Sequence, residues 1–246
     1  SLSSSDRPTA TRRPTRPPFD PQTAPVVERG SAQDAIDPRL LEAEALRTVL
    51  RAPRAWSIEP TDEARWASGM QPTPAAVLVP LVVPAVQAPL RVLLTKRTAH
   101  LYDHAGQISF PGGRVDEGDA SREATALREA EEEVGIAPSA IEVVGAMPEY
   151  LTGTGFIVTP VIGMIAGPVV ARPDPFEVAH VFEVPLEFLM NPANHEKRAV
   201  RWRDEHGEHE RHFYAMPYRD ADETRFIWGA TAAMLRNLYH LLRAQV

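Results

Sequence analysis

The sequence predicts an α/β protein in which a sheet packs between helices, and three observations predict it. Valine- and leucine-rich runs at 75–86 and 90–95 have the composition and length of central strands. An acidic helical segment follows them, ending at Gly135, a residue suited to a left-handed C-cap, with Pro138 just beyond. Ile227, Thr231, Met234, Leu238 and Leu242 then recur at helical spacing and predict a closing C-terminal helix. Strands interleaved with helices bury their apolar faces as layers.

Taken in order, residues 1–30 hold six prolines, five arginines and only three acids, so they predict a disordered tail. The prolines also spoil the amphipathic helix of a transit peptide. Residues 31–71 predict a helical extension. Asp37 caps a helix with Pro38 in its first turn, running through Leu40, Leu41 and Leu46 to about Leu50. Trp56 and Trp66 are expected to fix this extension to the main domain, assigned to 72–246. Further strands are predicted at Ile141–Ala146, Phe156–Ile165 and Val178–Val184. A hairpin is predicted around Arg198–Arg203 and His212–Met216.

Composition narrows the function. The chain has 246 residues, enough for one sizeable core with extensions. It has no cysteine, which excludes disulfides and thiolate zinc. A net charge of −7 argues against a general nucleic-acid footprint. No apolar run approaches ~20 residues, and the N-terminal stretch lacks a signal-peptide core, so a cytoplasmic enzyme without a membrane partner is expected.

The chemistry concentrates in Gly112–Ile136, which carries eight carboxylates. At ~100° per residue Glu133 falls about 40° from Glu129, and Glu132 about 60° the other way, which gathers three carboxylates on one helix side. Ala120, Leu127, Ala130 and Val134 fall opposite and anchor the helix. Crowded carboxylates repel unless a cation neutralises them, and hard ions such as Mg²⁺ or Mn²⁺ suit oxygen donors. The preceding Phe110-Pro111-Gly112-Gly113 turn lets backbone approach a ligand closely. A solvated acidic face is the plain alternative, and the glycine turn and hard helix stop weigh against it.

These residues resemble the Nudix signature. Arg128-Glu129-Ala130-Glu131-Glu132-Glu133-Val134-Gly135-Ile136 matches its second half at every specified position. In the first half, Asp119 follows Gly113 after five intervening residues where the signature has Glu, and eight residues, not seven, separate it from Arg128. That shift resembles the coenzyme A pyrophosphatase branch. So does Leu93-Leu94-Thr95-Lys96-Arg97-Thr98, followed in register by Gly106 and Phe110-Pro111-Gly112-Gly113. Tyr102 stands where that pattern has an arginine, removing a bidentate phosphate donor.

The resemblance implies the Nudix α/β/α sandwich with a mixed sheet. It implies metal-dependent cleavage of a nucleotide diphosphate, with coenzyme A or its acyl esters giving 3′,5′-ADP and a phosphopantetheine species. ADP-ribose or another nucleotide sugar is the alternative substrate, and a non-catalytic ligand-binding regulator is the alternative class. Glu129, Glu132 and Glu133 are the metal-ligand candidates, joined through the resemblance by the Gly113 carbonyl. Glu132 or Glu133 is the candidate base, and Glu177, at a loop-to-strand junction, is a further base or outer ligand. Arg97, Tyr102, Gly112 and Phe156 are candidates for substrate binding. Arg128 is placed to orient Glu132 from one helical turn away. A small-molecule nucleotide diphosphate is the expected partner, with a homodimer allowed. The histidines at 206, 209 and 212 are assigned to a solvated hairpin turn, not to zinc.

Overall fold

The computed structural model describes residues 18–246 apart from 68 and 102–105. The chain forms β1 (Val26–Arg29), α1 (Ala43–Arg51), α2 (Glu63–Trp66), β2 (Thr73–Val83) and β3 (Arg91–Arg97). Next come β4 (Ile108–Ser109), β5 (Gly112–Arg114), α3 (Arg122–Val134), β6 (Ile141–Ala146), β7 (Tyr150–Leu151) and β8 (Phe156–Ala166). The last part holds β9 (Val178–Pro185), α4 (Leu186–Met190), β10 (Glu196–Asp204), β11 (Gly207–Asp220), β12 (Glu223–Trp228) and α5 (Gly229–Arg243).

The larger sheet is mixed. β2 pairs in parallel with β8 from Thr73↔Phe156 to Val83↔Ala166, while β3, β5, β6 and β9 join antiparallel. Side chains of β2 alternate between its faces. Ala76, Leu78 and Val82 pack with Ala126, Ala130 and Val134 of α3. Ala75, Val79 and Leu81 join Leu46 and Leu50 of α1 and Leu235, Leu238 and Leu242 of α5. The sheet therefore lies between helices, as expected. Pro80 is tolerated inside β2 because it falls between the stretch paired with β5 (75–77) and the stretch paired with β3 (81–82).

Four expectations change. Residues 18–30 are not a tail: β1 pairs with β10, and the Phe19 ring lies 5.8 Å from Phe213 and 6.0 Å from Trp228. Those aromatic partners are distant in sequence, so composition averaged over thirty residues hides them. Asp37 does cap, accepting from the Arg39 amide, but it caps a 3-10 turn over Pro38–Leu41. The backbone becomes extended at Glu42 before α1 starts, so the long helix is two pieces. Ala120 is exposed ahead of the Ser121 cap, and Thr125 and Ala126 take its place in the buried stripe of α3. Ile227 and Trp228 end a strand, β12, and α5 begins only at Gly229. The predicted hairpin is real but belongs to a second antiparallel sheet, ordered β1-β10-β11-β12. Trp56 packs on the core as expected, while Tyr102 and the Trp66 side chain lie outside the described residues. Among the described residues no helix is long and apolar enough to cross a membrane.

Candidate active site

β5 and α3 build the site together. β5 lies across the first half of β2, and the Ser121 hydroxyl caps α3 by accepting from the Ala124 amide at 3.1 Å. Gly135 closes the helix in the left-handed conformation (φ 69°), with its N–H returning to the Ala130 and Glu131 carbonyls. Helix and glycine turn are thereby held at fixed register. A Cβ built on Gly113 would collide with the Glu129 carboxylate, so any other residue here would push that carboxylate away. Gly112 is required by packing, since a Cβ there would strike the backbone of Ala76 and Val77.

Arg128 is the hub. Its Nε and Nη2 donate to the two oxygens of Asp119, each at 3.0 Å, in a bidentate pair. Nη1 donates to Glu129 at 2.9 Å and to Glu132 at 3.3 Å, and Nη2 also reaches the Arg114 carbonyl at 3.1 Å. The contact to Glu132 is present, but Asp119 is the principal partner. Asp119 also accepts from the Thr125 hydroxyl and the Asp116 amide, both at 2.9 Å. The Arg128 guanidinium holds its carboxyl well below the usual carboxylate range. The residue that departs from the signature thus fills a carboxylate position in full.

Glu133 is 5% exposed. Burial, then the charge of Glu129, push its carboxyl up to about 8, with Glu177 adding to the rise and Arg97 and the Gly112 backbone N–H opposing it. Burial also raises Glu129, against the pull of Arg128 and with a push from Glu132 and Glu177. The Glu177 charge therefore acts on this cluster. The Arg97 charge acts on it too, and its Nε is buried without a hydrogen-bond partner among the described residues. Glu132 sits outermost, its side chain 60% exposed. Phe156 lies under the Arg114 guanidinium, 5.4 Å from ring centroid to cation. Arg114 was not singled out by sequence. Its signal was a cation immediately following the glycine turn.

Among the described residues no three acidic or imidazole side chains converge as a finished metal cage, because Arg128 stands between Glu129 and Glu132. The donor chemistry nevertheless fits a hard divalent ion. The Glu129 carboxylate shares a side-chain-free niche with the Gly113 backbone, and burial and the Glu129 charge both disfavour an ionised Glu133 that no cation accompanies. Of the three histidines only His206 lies in the 205–206 turn; His209 and His212 are part-buried residues of β11, paired to Asp204 and to Glu210, each at 2.8 Å.

Residues 72–220 match the NUDIX domain family model. The uncharacterized Nudix hydrolase NudL of Escherichia coli K12 is 43% identical over 165 residues, covering 67% of this chain and 80% of that protein. NudL of Shigella boydii serotype 4 is 44% identical over the same coverage. A solved Nudix hydrolase from M. smegmatis, RenU, aligns at a TM-score of 0.41 and 24% identity, over 47% of this chain and 71% of its own. A signature that fills its structural positions and a family match over more than half the length lead to one conclusion: this chain is a Nudix hydrolase.

Proposed function

We propose that this hydrolase cleaves the diphosphate linkage of coenzyme A or its acyl esters, yielding 3′,5′-ADP and an (acyl)phosphopantetheine, with Mg²⁺ or Mn²⁺ held by Glu129, Glu132, Glu133 and the Gly113 carbonyl. The observation that carries the assignment is Arg97. It belongs to the Leu93–Thr98 pattern of the coenzyme A branch, its buried Nε has no partner among the described residues, and its charge acts on Glu133 of the carboxylate cluster. The bound cation would offset charge on the leaving phosphate and lower the pKa of a water. The protein supplies the rest. Arg97 offers planar donors to a phosphate oxygen. Arg128, fixed by Asp119, holds Glu129 and Glu132 at their angles. Glu132 or Glu133, ionised once the cation is bound, is the candidate to take the water's proton, with Glu177 as an outer member. Arg114 and Phe156 present a flat cationic and aromatic surface to a planar part of the substrate.

ADP-ribose is the second reading, favoured by Tyr102 in place of an arginine that would suit the 3′-phosphate. The test is catalytic efficiency on coenzyme A, dephospho-coenzyme A and ADP-ribose at one Mg²⁺ concentration. Coenzyme A should be hydrolysed, with dephospho-coenzyme A handled comparably. ADP-ribose cleavage with no coenzyme A cleavage would overturn the branch assignment and leave the hydrolase class.

A further inference from the structure

Below the turn that leads into Phe156 lies an ion pair from outside the signature. Glu63, on α2, and Arg211, on β11, are each 7% exposed and meet at 2.5 Å. They come from opposite ends of the chain, and Glu63 precedes the matched 72–220 span. Gly153 sits directly on this pair. A Cβ there would collide with the Glu63 carboxylate and lie 3.4 Å from Arg211 Nη2. The next glycine, Gly155 (φ 88°), rests on Met70, whose thioether fills the space a Cβ would need. The Gly155 carbonyl accepts from the Thr73 amide at 2.8 Å. The turn passes this support on to Phe156: the Thr152 hydroxyl accepts from the Phe156 amide at 3.0 Å, and the Thr152 amide donates to the Phe156 carbonyl at 2.8 Å. Phe156 in turn carries Arg114, whose carbonyl Arg128 holds.

We propose that Glu63 and Arg211 are positioning residues for substrate. The ion pair is a floor that sets the height of the Thr152–Gly155 turn and hence of the Phe156–Arg114 surface, so the N-terminal extension completes the substrate wall of the hydrolase. The pair is buried and close, and Arg211 Nε and Nη1 have no other hydrogen-bond partner among the described residues, so removing the Glu63 charge leaves the guanidinium stranded. A glycine is needed at 153 because the floor is so near. Loss of the floor should move a binding surface and leave the carboxylates in place, so it should act on KM and spare kcat.

The inference rests on the assignment of Phe156 and Arg114 to substrate binding, and two readouts separate its failure from failure of that assignment. Glu63→Gln and Gly153→Ala are compared with the parent enzyme for turnover of whichever member of the diphosphate panel the parent cleaves best. KM is expected to rise about 5- to 20-fold in both, with kcat within about twofold. Amide hydrogen exchange at 152–156 is expected to speed up in Glu63→Gln by about tenfold or more, with α3 amides unchanged. Glu63→Asp, which keeps the charge, should recover part of the KM. Unchanged exchange at 152–156 overturns the floor itself, whatever the enzyme cleaves. Faster exchange with unchanged KM overturns its role in substrate positioning. If Phe156→Ala also leaves KM unchanged, the surface assignment has failed as well.

Discussion

The buried ionic cluster around Arg236 and the one at the candidate active site are built on opposite principles. Around Arg236, which is 2% exposed, all three guanidinium nitrogens have partners: Glu59, Gln33, His195 and Tyr214. Burial would raise Glu59, but hydrogen bonds from His240 and Tyr214 and the charge of Arg236 bring it down to about 2. Burial lowers His195 to about 4, and its neutral ring serves the cluster from both sides. Nδ1 accepts from Arg236 at 3.1 Å, and Nε2 donates to the Leu189 carbonyl at 2.6 Å, a tautomer fixed by these partners. At the candidate active site the order is reversed. Glu133 is pushed up to about 8, Glu129 rises with it, and Arg97 keeps a buried nitrogen without a partner among the described residues. A satisfied polar cluster fastens three parts of the chain, and an unsatisfied one is shaped for something that arrives from solution.

The largest expected effect is on the fastened side. Arg236→Leu should destabilise the protein by ~3–5 kcal/mol, since it strands Glu59 among buried partners. Denaturant unfolding measures it, and a loss below ~1 kcal/mol would show that the cluster is not a fastening. On the other side, Glu133→Gln should cut turnover by ~10² or more while leaving the fold intact. Near-normal turnover at limiting Mg²⁺ would remove Glu133 from the mechanism.

The two clusters should also respond to pH with opposite sign. Glu133 has a folded value of about 8 against 4.5 unperturbed, so its stability contribution is complete below about 4.5 and is lost as pH rises through 8. His195 and Glu59 are depressed in the folded state. Their contributions are present above about 6.5 and 4.5, and are lost as pH falls towards about 4 and 2. Metal-free protein should therefore melt a few degrees lower at pH 8.5 than at pH 6, and Glu133→Gln should flatten that slope. A slope identical in the variant would assign the titration elsewhere.

The smallest effect concerns the N-terminus. Removing residues 1–17 should leave Tm and turnover nearly unchanged. Extending the deletion through Arg29 removes β1 and Phe19 and should lower Tm measurably, and equal melting of the two deletions would return 18–29 to the status of a tail.

Much of this was legible in the sequence because it is local. The α3 stop at Gly135, the register of Glu129, Glu132 and Glu133, and the bounds of β6 all follow from spacing and end signals within a few residues. What escaped depends on partners far apart in the chain. β1 gains its ladder from β10, and β12, with Glu223, Thr224 and Arg225, shows no apolar run until it is seen beside β11. Glu63 meets Arg211 across 148 positions, a distance over which no sequence period operates. Arg236 did leave a trace, as a cation inside the apolar stripe of α5 between Leu235 and Leu238. At the active site the carboxylates and Arg97 were readable by type and spacing. That Asp119 grips Arg128 with both oxygens became visible only in three dimensions.

An unsatisfied cluster that receives a divalent cation should bind Mn²⁺ in calorimetric titrations run in buffers of different ionisation enthalpy. At pH 7 Glu133 holds a proton that an arriving cation must displace, so binding should release up to about one proton per ion, falling towards none at pH 9. Glu133→Gln should abolish that release and weaken binding. No cation binding by the parent protein, or proton release that persists unchanged in Glu133→Gln, would contradict the account.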